Sequence, residues 1–106
     1  MYNICMNELR FSWDEKKNQR NKRIHGIAFE EAETVFYDEN AILFDDPEHS
    51  EDEDRFLILG ISRTERLCIV SHCYRNKDEI IRIISARKAT KREVDAYNNQ
   101  EGGLLK

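Results

Sequence analysis

Three apolar runs follow one another between residues 55 and 86, RFLILGIS, LCIVSHCY and IIRIISA, separated by only four and then five mostly polar residues. Connections that short suit hairpins, so the runs read as adjacent antiparallel strands over Arg55–Ser62, Leu67–Tyr74 and Ile80–Ala86. The rest of the chain must fit around that meander. Leu9–Phe11 reads as a short first strand. Ser12 and Glu15 have the spacing of a capping box for a helix from Trp13, and Gly26 suits its C-terminal stop. Phe29, Ala32, Val35 and Phe36 predict a second helix to about Tyr37. Ala28 offers that helix no side-chain cap, so it must depend on packing. A strand over Ala41–Phe44 runs into the acidic loop DDPEHSEDED. Thr90 and Glu93 form a second capping box for a final helix, TKREVDAYNNQ.

This order predicts an α+β fold, an antiparallel sheet of four to five strands with two N-terminal helices and one C-terminal helix on one face. The expected core is a sheet face of Phe56, Ile58, Leu67, Ile69, Ile81 and Ile83, covered through Trp13, Phe29, Phe36 and Val94. A chain of 106 residues suits one domain. It would span residues 1–106 with its core over about 9–100, and Gly102 and Gly103 would loosen the tail.

Charged residues make up 36% and hydrophobic residues 40% of the chain, and no apolar run approaches a membrane span. The opening MYNICMNELRF lacks a basic region followed by an apolar one, which argues against a signal peptide. Cys5, Cys68 and Cys73 have unrelated spacings and suit reduced thiols, so the expected location is cytoplasmic. Net charge is -4, but residues 38–54 carry nine acids and no base, whereas residues 55–106 carry eleven bases and six acids. A basic half is the electrostatic footprint expected of a polyanion binder.

The densest chemistry lies in IIRIISARKATKREVDAY, where a strand carries Arg87 and Lys88 to the start of a capped helix. Cations held there make a natural phosphate site. Arg82 precedes Arg87 by five positions, so a regular strand would aim the two at opposite faces. Arg87 is therefore the stronger candidate. Its bland alternative is an ion pair, and that of Arg82 is a solvated sheet face. His25, at the end of the basic helix, reads either as a proton donor or phosphate ligand, or as a helix-terminal cation. His72 alternates with Val70 and Tyr74 and reads as packed, and His49 as solvated. Lys16, Lys17, Arg20 and Arg23, with Lys22, either track a phosphate backbone or form a solvated helix face. The acidic run raises a metal-nuclease alternative, but it matches no calcium-loop pattern, and no Cys/His pair has zinc spacing. No metal or cofactor is expected.

FSWDEKKNQRNKRIHGIAFEEAETVFYD, FDDPEHSEDEDRFLILGIS and IRIISARKATKREVDAY, taken in order, resemble the BrnT toxins of bacterial type II toxin–antitoxin pairs. The likeness covers roughly Phe11 to Tyr97 and rests on W-D-x-x-K-N, H-G, F-E-E-A, D-D-P-x-H and I-S-A-R-x-A-T together. It implies a RelE/ParE-like fold and a ribonuclease that slows translation and is neutralised by a BrnA-like antitoxin. The assembly is left open between a homodimer and a toxin–antitoxin heterotetramer.

Metal-independent RNA cleavage needs a base for the 2′-OH, a cation for the phosphate and an acid for the leaving 5′-oxygen. On this reading Arg87 stabilises the phosphate, Arg82 and Lys88 support it, and His25 supplies the acid. Glu53, beside the strand that starts at Arg55, is a candidate base. Tyr97 is placed to stack on a base, as an aromatic often is in RelE-like folds, or else to pack its own helix. The rival readings are a non-enzymatic toxin that blocks a protein target, and an adaptor docking through the basic C-terminal half.

Overall fold

The structure is a computed structural model that describes residues 9–46, 54–77 and 79–100. Glu53, His49, most of the acidic loop and both tails lie outside the described residues. The elements are β1 (Phe11–Ser12), α1 (Glu15–His25), α2 (Phe29–Ala32) continued by a 3-10 helix (Glu33–Tyr37), β2 (Ile42–Asp45), β3 (Arg55–Ile61), β4 (Leu67–Arg75), β5 (Ile80–Lys88) and α3 (Lys91–Asn99). The strands form one sheet in the order β1-β5-β4-β3-β2. The meander is antiparallel as expected, but β1 runs parallel to β5, so the sheet is mixed.

Local chemistry explains the helix limits. Asp14, not Ser12, caps α1: its side chain accepts from the Lys16 and Lys17 N–H groups at 2.8 and 3.4 Å. Ser12 is already committed to the sheet, paired with Arg82. Gly26 ends α1 at φ 74°, a left-handed conformation that costs a Cβ-free residue little, and its N–H reaches the Lys22 carbonyl at 2.9 Å. The start of α2 is capped from a distance. Asn18 on α1 accepts from the Phe29 N–H at 2.7 Å, supplying what Ala28 cannot.

A second asparagine ties α1 to the sheet. Asn21 donates to the Ala86 carbonyl at 2.9 Å and accepts from the Ala86 N–H at 3.1 Å. It thereby stands in for a neighbouring strand where β1 has stopped. The same amide donates to the Ile27 carbonyl at 2.8 Å. A basic helix with almost no apolar stripe is thus anchored by two buried amides. A third tie is Glu31, whose carboxylate gathers the Ser62 and Thr64 hydroxyls at 2.6 Å and the Arg66 guanidinium, with Arg66 also donating to the Gly26 carbonyl at 2.9 Å. These bonds hold the Glu31 carboxyl down to about 2, the Arg66 contact contributing most.

The sheet is buried on both faces, which corrects the single-face core. Ile58, Val70, Ile83 and Ala86 pack under Ile27, Phe29, Ala32 and Val35. Leu59, Ile69 and Phe44 pack with Tyr97 of α3 on the other face. Leu67 and Ile69 therefore lie opposite Ile58 and Ile83, and α3 lies across the sheet from the N-terminal helices. Strand β4 is apolar at nearly every position, so alternation could not set its phase. His72 is fully buried beside Phe36, Phe56 and Tyr74, with ring centroids 4.7, 6.1 and 5.4 Å away. Burial lowers its pKa to about 4.

Candidate active-site cleft

Register decides which side chains share the open part of the second face. Ser71 pairs with Ser85, but the next residue, His72, pairs with Ile83. Ile84 is therefore the extra residue of a β-bulge, and side-chain parity is reset across it. Arg82 and Arg87, five apart, consequently emerge on the same face, contrary to the regular-strand expectation. Three rows cross that face: Ile42, Leu59, Ile69 and Arg87; Phe44, Leu57, Ser71 and Ser85; Arg55, Cys73 and Arg82.

Over these rows lies a cleft of about 290 Å³, lined by His25, Asp46, Arg55, Leu57, Ile69, Ser71, Ile84, Ser85, Ala86 and Arg87. Its floor is apolar with two serine hydroxyls. Its ionisable groups are two arginines, a histidine and one carboxylate. His25 arrives because α1 is pinned along the edge of β5 by Asn21, four residues earlier and so on the same side of the helix. Arg55, the first residue of β3, and Asp46, one residue past β2, arrive together, with the Asp46 N–H bonded to the Arg55 carbonyl at 3.0 Å.

Arg87 is held rigidly. Its Nη1 and Nη2 each donate to one Glu93 oxygen at 2.9 Å, and Nη1 also donates to the Lys88 carbonyl at 3.2 Å. The pairing raises the Arg87 pKa, and desolvation offsets only part of that rise. Burial alone would raise the Glu93 carboxyl, but the Arg87 fork and the Thr90 N–H together hold it below its usual range. The same Glu93 closes the α3 capping box, accepting from the Thr90 N–H at 2.7 Å while the Thr90 hydroxyl accepts from the Glu93 N–H at 3.2 Å.

The other sequence candidates are dispersed. Arg82 lies on the cleft face but outside its lining. Lys88 pairs with Cys68 and so falls on the opposite face from Arg87. Both residues belong to β5, which continues two residues past Ala86. Tyr97 is buried, 8% exposed, and donates its hydroxyl to Asp38 at 2.6 Å. It packs beside Leu59 and Ile69 and is not part of the cleft's lining. Lys16, Lys17, Arg20 and Arg23 are exposed along α1. Glu53 lies outside the described residues.

Sequence reading missed Arg55, and it raised Asp46 only within the acidic run of the metal-nuclease alternative. Their one signal is position, Arg55 opening β3 and Asp46 following β2 on either side of the acid-rich connection. Among the described residues, no group of three or more His, Cys, Asp or Glu side chains is arranged to hold a metal ion. The buried Cys68 thiol is pushed up to about 11, chiefly by desolvation, which makes it a poor nucleophile near neutral pH. No helix among the described residues is long and apolar enough to cross a membrane.

A family model described as the ribonuclease toxin BrnT of type II toxin–antitoxin systems matches residues 13–93. In three dimensions the chain is similar to the ribonuclease toxin BrnT of Brucella abortus. The TM-score is 0.60 at 24% sequence identity, covering 79% of this chain and 100% of that one. No curated protein matches the sequence.

Proposed function

The chain belongs to the BrnT family, the ribonuclease toxins of type II toxin–antitoxin systems, and we propose that it cleaves RNA without a metal ion in the cleft between His25, Arg55 and Arg87. The observation that carries this reading is the convergence of two arginines, a histidine and a carboxylate from four separate parts of the chain on one cleft. Arginine grips phosphate through paired N–H donors. Arg87 and Arg55 would bind the scissile phosphate and stabilise the charge that grows on it. Asp46 would take the proton from the 2′-OH, whose oxygen attacks phosphorus. His25 would return a proton to the departing 5′-oxygen. The products of that route are a 2′,3′-cyclic phosphate and a 5′-OH.

Arg82, in the row of Arg55 and two rows from Arg87 on the same face, would hold a neighbouring phosphate, and the exposed bases of α1 would attract the rest of the strand. Kinship with RelE/ParE-like toxins, action in the cytoplasm and neutralisation by a BrnA-like antitoxin belong to the same reading. The test is purified chain, free of antitoxin, incubated with RNA in EDTA. Cleavage is expected, and both Arg87→Ala and His25→Ala should remove most of it. Full activity in either variant, or complete loss in EDTA, would reject the mechanism.

A further inference from the structure

Arg87 has five N–H donors. Nη1 spends both of its own, on Glu93 and on the Lys88 carbonyl, and Nη2 spends one on Glu93. Among the described residues the pair left over, Nε–H and the second Nη2–H, forms the side-on edge of the guanidinium. That edge matches two phosphate oxygens. Glu93 is itself fixed, because Thr90 at the helix start bonds its carboxylate through the backbone N–H. The Glu93 side chain is only 13% exposed, against 41% for Arg87, so the holding end of the pair is enclosed and the held end is open.

We infer that Glu93 is a positioning residue for the cleavage reaction, a carboxylate that sets the plane of the Arg87 guanidinium so that its free edge meets the scissile phosphate. Glu93 then has two duties: as the acid of the α3 capping box it accepts from the Thr90 N–H, and as the partner of Arg87 it orients a cation of the cleft. An untethered arginine would still attract RNA but would spend most of its time off the productive geometry. A misplacement of about 1 Å can cost on the order of 100-fold in rate. This inference rests on the cleft's being the site of RNA cleavage.

The experiment compares Glu93→Gln, Thr90→Ala and Arg87→Ala, alone and with Glu93→Gln combined with Arg87→Ala, in single-substrate RNA cleavage well below each variant's melting temperature. Glu93→Gln should lower kcat by about 10- to 100-fold and change KM less than about threefold. Thr90→Ala loses half of the capping box but leaves the Glu93–Arg87 pair, so it should lower the melting temperature while keeping kcat within about twofold. Adding Glu93→Gln to Arg87→Ala should cost nothing further, since Glu93 acts through Arg87. Unchanged kcat in Glu93→Gln, equal losses in Glu93→Gln and Thr90→Ala, or additive losses in the double variant would each overturn the positioning role while leaving the cleft assignment standing. Full activity in Arg87→Ala would instead overturn the cleft assignment, and the role of Glu93 with it.

Discussion

Arg82 and Arg87 lie five positions apart on one strand and on the same face of the sheet, because Ile84 is bulged out between them. The bulge puts two cations that should point apart on one face, two rows from each other. They are not equivalent, since only Arg87 lines the cleft. Arg82→Ala should weaken RNA binding, raise KM several-fold and flatten the salt dependence by about one charge, with kcat little changed. Arg87→Ala should instead lower kcat. Steady-state cleavage measured over a salt series separates the two effects.

Arg55→Ala should reduce kcat/KM by about 100-fold, the usual scale for removing one donor to a developing oxyanion. Arg63→Ala, on the exposed turn between β3 and β4, serves as the control and should leave cleavage within about twofold. Equal activity of the two variants would place the phosphate elsewhere.

Asn21→Ala removes the bonds to the Ala86 N–H, the Ala86 carbonyl and the Ile27 carbonyl at once. Three buried backbone groups would lose a partner. Urea denaturation should show a loss of about 2–4 kcal/mol. Cleavage below the unfolding transition should fall too, because His25 depends on α1 lying along β5.

Acid should destabilise the fold in two overlapping windows. His72 has a folded pKa of about 4 against an ordinary 6.5. Its neutral, buried form favours folding above 6.5, and that advantage is lost as pH falls from 6.5 through 4. Glu31 has a folded pKa of about 2 against an ordinary 4.5. Its contribution is present above 4.5 and is lost as pH falls from 4.5 through 2. Each is worth at most about 3 kcal/mol. Melting temperature plotted against pH should fall in both windows, with His72→Phe flattening the upper one and Glu31→Gln the lower one.

Much of this was legible in the sequence, and the failures have physical causes. The hairpin strands were visible because their connections are too short for anything else, and Arg87 and His25 stood out as cations at element ends. The parity of Arg82 was not legible, since a bulge is one extra residue that leaves no mark on an apolar run. The two-faced core was hidden for a related reason, because LCIVSHCY is apolar in both phases. The cap of α2 and the docking of α1 were invisible, as Asn18 and Asn21 look like solvated residues in a basic helix until their amides meet Phe29 and Ala86. Arg55 reaches the cleft only through pairings between distant strands, which spacing along the chain does not encode.

The chemistry of the cleaved ends distinguishes attack by the 2′-OH from hydrolysis by a metal-held water. An RNA digested by purified chain in EDTA, and a matched substrate with a single 2′-deoxynucleotide at the cleaved position, are compared by mass spectrometry. The first substrate should yield 2′,3′-cyclic phosphate and 5′-hydroxyl ends, the second should stay uncut at that position, and Arg87→Ala should remove nearly all of both products. Cleavage of the deoxy-substituted position, or 5′-phosphate ends that vanish in EDTA, would rule out metal-independent attack by the 2′-OH.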